Sequence, residues 1–272
     1  MDNEKIKAML LEIQNTNLDF TVIMTGKEST RVNGLYKPDT REILLHNRNF
    51  KTDNQLVYTA IHEYTHHLIN EEKIAQAEEL GLKPSYNGKS HTTYFWAKFG
   101  ELLDIAEQKG MYKLDLSETP ELEELTKEIR EKYIMPNGHL MQELGKALIK
   151  AHALCDEANI RYEDYVDRIL QLPRPVSQKI TKISMLPESD ADLGFENMKI
   201  IASCKNNTDK QKAIDAIKTG KSPDSVIQMM KKKAKEQDPK SRLEKEKARL
   251  ENTINQLKTR LEYVEESLAN ME

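Results

Sequence analysis

The residues best suited to chemistry in this sequence are two histidines and a glutamate inside an apolar helical pattern. His62 and His66 are four positions apart, and Glu63 directly follows the first histidine. Because residues four apart on a helix lie one turn apart on the same face, both imidazoles can bind one metal ion. Glu63 can then contact a water on that ion without binding the ion itself. This H-E-x-x-H pattern predicts a hydrolytic zinc site.

The third ligand must come from another part of the chain, because a catalytic zinc ion needs about three protein ligands and one open position for water. His91 is the best candidate, since it follows the motif after 24 intervening residues at the predicted start of a second helix. Ser90 is the expected N-cap of that helix, and the aromatic residues behind it would hold the histidine rigidly. The alternative third ligands are Glu71, Glu72, Glu78, Glu79 and Glu101.

The chemistry predicted for this set of residues is hydrolysis of an amide bond. Zinc lowers the pKa of its bound water toward about 7 and polarises the carbonyl group that is attacked. Glu63 would take the proton of that water and pass it to the leaving amine. Tyr64 and Tyr94 are candidates to stabilise the transition state by a hydrogen bond to the oxyanion, and core packing is the alternative for both.

The other histidines are expected to be structural. His67 neighbours a ligand but points about 100° away from it on the helix. His46 lies at the end of a predicted strand, and His139 and His152 lie in a predicted helical region. For the motif itself, the alternative interpretation is a solvated polar helix face.

The helices that would position the site can be located from caps and periodicity. The motif helix is expected over residues 54–70 with Asp53 as its N-cap, and a separate helix over 72–80 would end at Gly81. Residues 4–14 predict an amphipathic helix near the N-terminus.

The strands that would support the motif helix lie upstream of it. An apolar, β-branched segment at 20–24 predicts one strand. Residues 31–36 and 41–46 predict a strand pair, because Pro38 and Asp39 between two apolar runs are typical of a turn. The expected fold class is α+β, with a small antiparallel sheet packed on the motif helix.

Composition restricts the class of protein. The chain has 272 residues, of which 32% are charged and 38% hydrophobic, and this balance is typical of a helical protein with a modest core. We expect neither a transmembrane helix nor a signal peptide, because no long apolar window and no basic, then apolar N-terminus occurs. Two cysteines do not form a disulfide framework, so we expect a reducing, cytoplasmic location.

The chain is expected to contain three parts: a metallopeptidase-type domain at 1–113, a helical module at 114–236 and a coiled coil at 237–272. The helical module would begin with an acidic helix bounded by Pro120 and by a break at 136–138. The coiled coil is predicted by apolar residues that alternate at spacings of four and three, at Leu250, Ile254, Leu257, Leu261, Val264 and Leu268. Both a homodimer and an intramolecular helical hairpin fit that pattern.

Residues 18–105 resemble a SprT-like zinc metallopeptidase domain. The shared features are a β-hairpin ending in the apolar strand at 42–45, then the H-E-x-x-H helix, and then a histidine followed four residues later by an aromatic residue, here His91 and Phe95. This resemblance implies that His91 is the third zinc ligand and that Glu63 is the base. It also implies a minimal zincin fold.

A second resemblance is to the ImmA/IrrE-type peptidases of mobile elements, which cleave or inactivate a transcriptional repressor. It is carried by Gly34-Leu35-Tyr36, by residues 41–45 and by residues 59–63. Both resemblances imply a small, intracellular, zinc-dependent protease.

The C-terminal half has a charge pattern of its own. Residues 205–260 contain 16 Lys and Arg against 8 Asp and Glu, a net +8, whereas the whole chain has a net charge of −4. Residues 144–180 weakly resemble helix-turn-helix domains of phage and plasmid proteins, including ParB-like ones, and Ser177, Gln178 and Lys179 are expected to be exposed there. The candidate nucleic-acid contacts are Lys231, Lys232, Lys233 and Lys235, and a solvated helix face is the alternative.

These patterns together predict a zinc-dependent endopeptidase that hydrolyses an intracellular protein target, with Glu63 activating a zinc-bound water. The alternative is a non-catalytic adaptor of a mobile element that binds DNA or protein and keeps the zinc site as a structural element. Expected partners are a protein substrate, DNA or a nucleoprotein through the basic helical half, and a second copy through the coiled coil, with no membrane.

Overall fold

The computed structural model describes residues 1–79, 81–83 and 90–235 and the isolated positions 247, 251, 254, 258 and 261, with side chains up to Lys231 and at those five positions. Within this part of the chain most residues are helical, and three short strands form one sheet. The predicted α+β class with a helical module is therefore confirmed. No helix among the described residues is long and apolar enough to cross a membrane.

The first part of the chain has one helix, then the three short strands, then two helices. Its elements are α1 (Asn3–Ile13), β1 (Thr21–Met24), β2 (Gly34–Lys37), β3 (Glu42–Leu45), α2 (Asp53–Glu79) and α3 (Thr93–Gln108). The remainder is helical, with α4 (Pro120–Ile129), α5 (Met135–Glu157), α6 (Tyr162–Asp164), α7 (Arg174–Ile183), α8 (Phe195–Ser203), α9 (Asn207–Lys218) and α10 (Pro223–Lys235). The coiled coil predicted at 237–272 lies outside the described residues except at the isolated positions.

The three strands form a mixed sheet in the order β1-β3-β2. The predicted antiparallel pair is β2 with β3, in which Gly34 lies opposite Leu45. On the other side of β3, β1 pairs in parallel, with Thr21 opposite Glu42. The prediction of a wholly antiparallel sheet is therefore wrong for β1. The reason is that the chain after β1 crosses the end of β3 before β2 begins, so β1 and β3 run in the same direction.

A single long helix, α2, carries the motif. It has 27 residues, so the two helices predicted at 54–70 and 72–80 are one. Nothing between them breaks a helix, because the junction contains neither proline nor glycine. The N-cap is Thr52 and not Asp53, since the Thr52 hydroxyl accepts from the Gln55 amide at 3.3 Å. Asp53 instead occupies the first turn, where a carboxylate is favourable for the helix dipole.

The core of this part lies where α1, α2, α3 and the sheet meet. Its largest fully buried side chains come from all four of these elements, and burial of such side chains is the main driving force for their packing. They include Ile6, Leu10, Ile43, Leu45, Ile61, Tyr64, Leu68, Phe95 and Leu102. Tyr64 therefore belongs to the core, and its hydroxyl donates to the Gln14 carbonyl oxygen at 2.6 Å.

The helix break predicted at 136–138 does not occur. A π-helical segment, Arg130–Ile134, joins α4 directly to α5. Pro136, which lacks an amide hydrogen, follows this segment, so the change in hydrogen-bond pattern coincides with the proline. Gly138 has a packing role, because a Cβ there would lie 2.1 Å from the Ala191 carbonyl oxygen. The glycine thus permits close contact between α5 and the segment at 188–193.

The start of α10 packs on α3. A Cβ at Gly100 would lie 2.7 Å from the Ser225 hydroxyl, and that hydroxyl donates to the Ala97 carbonyl oxygen at 3.4 Å. Contacts divide the chain into two compact units, Met1–Gln228 and Met229–Glu272. The functional division predicted at residues 113/114 and 236/237 stays a prediction.

The segment that resembles a helix-turn-helix domain includes α7. Ser177 is buried, contrary to expectation, because α7 packs against α5 and α8. Its hydroxyl donates to the Arg174 carbonyl oxygen at 2.9 Å. Gln178 and Lys179 are exposed as expected. A DNA-binding role for this segment stays a prediction.

Candidate metal centre and cleft

The structure brings three histidines together at the middle of α2. His62 Nε2 and His91 Nε2 are 3.0 Å apart, and one nitrogen from each of His62, His66 and His91 lies within 4.8 Å of the others. Four-coordinate zinc, with Zn–N bonds of about 2.0–2.1 Å, holds its ligand atoms about 3.4 Å apart. The group can therefore hold a metal ion, as the spacing in the sequence predicted.

Phe95 forms the apolar floor beneath all three imidazoles. Its ring centroid lies 4.9 Å from that of His62, 4.4 Å from that of His66 and 4.7 Å from that of His91. The Phe95 side chain is fully buried in the core. Because a buried ring has little freedom, contact with it fixes the orientation of the three histidines.

His91 lies just before α3 and not in its first turn. The N-cap is Thr92, whose hydroxyl accepts from the Phe95 amide at 3.3 Å, so the predicted cap at Ser90 is wrong. Thr92 can adopt the extended backbone of a cap and accept this bond. His91 therefore projects from the segment that enters the helix, and its ring also stacks on Trp96 with centroids 5.5 Å apart.

Glu63 lies beside this group and is almost completely buried. Its side chain is 6% exposed, and the backbone amide of Tyr36 in β2 donates a hydrogen bond to it. Burial raises the pKa of the Glu63 carboxyl to about 7, and the Tyr36 hydrogen bond partly opposes this shift. A cation at the three histidines would lower this pKa, because an opposite charge favours the carboxylate.

Gly34 allows β2 to approach α2 closely enough to bury Glu63. A Cβ at this position would lie 2.8 Å from Glu63 Cγ, 2.9 Å from Glu63 Oε1 and 2.9 Å from Thr59 Cγ2. Every side chain other than hydrogen is therefore excluded unless the strand moves. Sequence reasoning did not assign this residue a role at the site. Its only local signal was a glycine at the start of a strand, which is a typical sign of close backbone approach.

A buried polar network beyond Glu63 on the same face of α2 ties the helix to the sheet. The His67 side chain is fully buried, with Nδ1 3.2 Å from the Tyr36 hydroxyl and Nε2 3.2 Å from the Leu18 carbonyl oxygen. Asn70 Nδ2 donates to the same Tyr36 hydroxyl at 2.9 Å. The prediction that His67 is structural agrees with these contacts.

A cleft of about 530 Å³ runs along α2 beside β2. It contains the histidine group, Glu63, part of β2 and the exposed face of α2 on both sides of the motif. The lining residues are Val32, Asn33, Gly34, Leu35, Tyr36, Pro38, Tyr58, Thr59, His62, Glu63, His66, Ile69, Asn70, Lys73, Ser90 and His91. This volume is typical of ligand sites in proteins.

His62 and His66 are held neutral by their surroundings. Burial lowers the pKa of His62 to about 4, with a smaller contribution from His91. Burial also lowers the pKa of His66 to about 3, assisted by the charges of His62, His91 and Lys73. Neutral imidazoles bind a metal without first losing a proton, so these two ligands are ready for a metal at neutral pH.

Two of the acidic alternatives to His91 have other partners. Glu71 accepts from the Thr16 hydroxyl at 2.6 Å, and Glu72 accepts from the Tyr94 hydroxyl at 2.5 Å and pairs with Lys98 at 2.5 Å. None of the five carboxylates belongs to the histidine group among the described residues. Tyr94 does not line the cleft, so the structure does not place this predicted transition-state stabiliser at the site.

The four lysines predicted to contact nucleic acid are only partly described. Lys231 is exposed on α10, and the side chains of Lys232, Lys233 and Lys235 lie outside the described residues. Their role stays a prediction.

Comparisons with protein-family models, with curated proteins and with solved structures found no match to this chain. The resemblances to SprT-like and ImmA/IrrE-type peptidases therefore stay predictions.

We expect the purified protein to bind about one transition-metal ion, and His91→Ala to lower the affinity at least about 10- to 100-fold. That range is the effect of removing groups that only support a ligand. Metal content by mass spectrometry and competition with a chelator measure this. His139→Ala is the matched control, because His139 contacts Asp192 and not the histidine group. Unchanged affinity in His91→Ala would remove this residue from the site.

We expect the metal-free protein to lose stability as the pH falls from 7 toward 4. The pKa values of His62 and His66 are about 4 and about 3 in the folded protein, whereas an unfolded histidine titrates near 6.5, so the unfolded chain binds more protons below that pH. Urea unfolding at several pH values measures how steeply the free energy of unfolding changes with pH. This slope should become smaller when both residues are changed to asparagine.

Glu63 opposes this pH trend. Its pKa is higher in the folded protein than in the unfolded chain, so its contribution to stability is lost as the pH rises above the pKa of an unfolded glutamate. The comparison is therefore made in the Glu63→Gln background. His67, whose pKa is also lowered by burial, retains part of the slope in every variant. An identical slope with and without His62 and His66 would contradict their buried, neutral state.

We expect Gly34→Ala to destabilise the protein by about 1–3 kcal/mol, the usual effect of overpacking. Chemical denaturation measures the change. Leu35→Ala is the neighbouring control and should cost little, since Leu35 is 45% exposed. Thr59→Ala should recover part of the loss, because it removes one of the atoms that the new Cβ would contact. Wild-type stability in Gly34→Ala would show that β2 does not need this approach.

Proposed function

We propose that this protein is a zinc-dependent endopeptidase. The observation that carries the proposal is the position of a nearly buried carboxylate, Glu63, beside three convergent imidazoles in a cleft that also contains a strand edge. A metal site, a base and a place for an extended peptide are thus adjacent. Each of these is required for metal-assisted hydrolysis of a peptide bond.

The donor set supports zinc as the metal. Three neutral imidazoles are typical of catalytic zinc sites, in which the fourth position remains for water or substrate. A structural zinc site instead uses four protein ligands, and among the described residues the histidine group has three. When bound, the ion would supply a Lewis acid that polarises the substrate carbonyl and acidifies the attacking water.

Glu63 is the residue that would move the proton. Burial raises its carboxyl pKa, and a bound cation would lower it again, so the carboxylate form would take a proton from water and then give it to the leaving amine. The hydrogen bond from the Tyr36 amide and the contact with Gly34 restrict the side chain to one position. A fixed base is more effective, because the geometry needed for proton transfer is already present.

The outer edge of β2, the last strand of the sheet on that side, supports a peptide as the substrate. His46 donates to the Asn33 carbonyl oxygen, so the alternation of an antiparallel ladder directs the backbone groups of Gly34 and Tyr36 away from β3. Both residues line the cleft. The Tyr36 amide donates to Glu63, so an extended peptide that lies along β2 would bond to the main chain of Gly34. This would place a peptide bond next to the histidines.

We expect Glu63→Gln to retain the metal and to lose about 10²- to 10⁴-fold in peptide hydrolysis, since glutamine keeps the shape of the side chain but cannot accept the proton. The measurement is digestion of a complex peptide mixture followed by mass spectrometry, together with the metal content of each variant.

Glu79→Gln is the matched control for this experiment, because Glu79 is an exposed carboxylate at the end of the same helix. It should cleave like the wild-type protein. Undiminished hydrolysis by metal-loaded Glu63→Gln would refute the role of Glu63. A zinc-loaded wild-type protein that cleaves no peptide would instead favour the non-catalytic adaptor.

A further inference from the structure

One end of the cleft contains a cation that the proposed hydrolysis does not use. Lys73 lies two turns after His66 on α2 and lines the cleft with an exposed side chain. It is the only lysine or arginine of the lining among the described residues. Within the same part of the chain it makes no hydrogen bond or ion pair, so its charge is available to a ligand.

No carboxylate of α2 neutralises this charge. Glu71 and Glu72, the two preceding residues, are held by contacts with Thr16 and with Lys98, respectively. The lining residues nearest to Lys73 on the helix, Ile69 and Asn70, are uncharged. This end of the cleft is therefore positive, whereas the middle holds the buried Glu63 carboxyl.

Asn70 lies beneath this end of the cleft and leaves one polar atom without a partner there. The residue is 4% exposed and lines the cleft, and its Oδ1 has no hydrogen-bond partner among the described residues. A buried acceptor without a partner is unfavourable, and such groups occur mainly at functional sites. Because Asn70 Oδ1 is itself enclosed by protein, the accessible group at this end is the Lys73 ammonium one turn away. A carboxylate of a bound peptide can pair with that ammonium.

The distance along α2 indicates where that acidic residue lies in a bound peptide. Lys73 is nine positions beyond the midpoint of His62 and His66, which is about 13 Å along a helix that rises 1.5 Å per residue. An extended peptide advances about 3.3 Å per residue, so this distance corresponds to about four residues. Because the lysine side chain is long, its ammonium group can also reach peptide residues about two positions nearer the cleaved bond.

The direction of β2 determines the side of the cleaved bond. Gly34 at its start contacts Glu63, and Tyr36 further along contacts Asn70, so β2 and α2 run in the same direction. An antiparallel pair is slightly more stable per residue than a parallel one. A peptide that adds antiparallel to β2 therefore has its N-terminal side at Lys73.

We propose that the cleft selects peptides with Asp or Glu two to four residues N-terminal to the cleaved bond, and that Lys73 determines this specificity. The inference rests on the proposed peptidase function. Its chemical basis is an ion pair at a partly solvated site, so the preference should weaken as the salt concentration rises.

The first test uses sets of peptides that differ at a single position. That position carries Glu, Gln or Lys, and each set varies a different position on one or the other side of the cleaved bond. We expect the wild-type protein to cleave the Glu peptides about two- to fivefold faster at the N-terminal positions, the range for an exposed ion pair. Lys73→Gln should abolish the preference, and Lys73→Glu should reverse it toward Lys peptides. Lys51→Gln, an exposed lysine outside the cleft, should behave like the wild-type protein.

The second test measures binding without cleavage. Fluorescence anisotropy with labelled Glu and Gln peptides and metal-loaded Glu63→Gln should show the same two- to fivefold preference, and it should disappear in Glu63→Gln/Lys73→Gln. If no peptide is cleaved by the wild-type protein, the proposed function fails, and binding alone still decides the role of Lys73. Equal affinity for Glu and Gln peptides, an unchanged preference in Lys73→Gln, or a preference on the C-terminal side of the bond would each overturn the inference.

Discussion

The contact between β2 and α2 at Glu63 is the constraint on which the rest of the site depends. A carboxylate that is 6% exposed must be surrounded by protein on nearly all sides, and here the backbone of β2 supplies one side. That is possible because Gly34 has no Cβ and because the Tyr36 amide donates to the carboxylate. The same contact places the outer edge of the strand beside the histidines, so burial of the base and formation of the cleft have one structural origin.

Two groups of side chains keep this contact in register. On one side of α2, His67 joins the Tyr36 hydroxyl to the Leu18 carbonyl oxygen, and a one-residue shift of β2 would leave these buried groups unpaired. On the other side, Phe95 packs beneath the three metal-binding histidines and is itself part of the core. Stability and site geometry therefore depend on the same residues.

The parts of the site that were predictable from the sequence are those set by local rules. The four-residue spacing of His62 and His66 fixes their common face, and the approach of His91 follows from a helix start near residue 90. Local rules did not distinguish Ser90 from Thr92 as the cap, since both residue types form caps. Three other features depend on how distant segments pack: the parallel pairing of β1, the close approach at Gly34 and the position of Lys73. No short sequence pattern predicts features of this kind.

The electrostatics of the site link its fold to a cation. Burying Glu63 opposes its ionisation, and burying His62 and His66 opposes their protonation, so without a cation the site holds few charges at neutral pH. A divalent cation bound by neutral imidazoles needs no protons displaced from them, and it favours the carboxylate form of the adjacent Glu63. The burial that is unfavourable for the isolated carboxylate thus becomes favourable once the cation is present, because the same low-polarity surroundings strengthen their attraction.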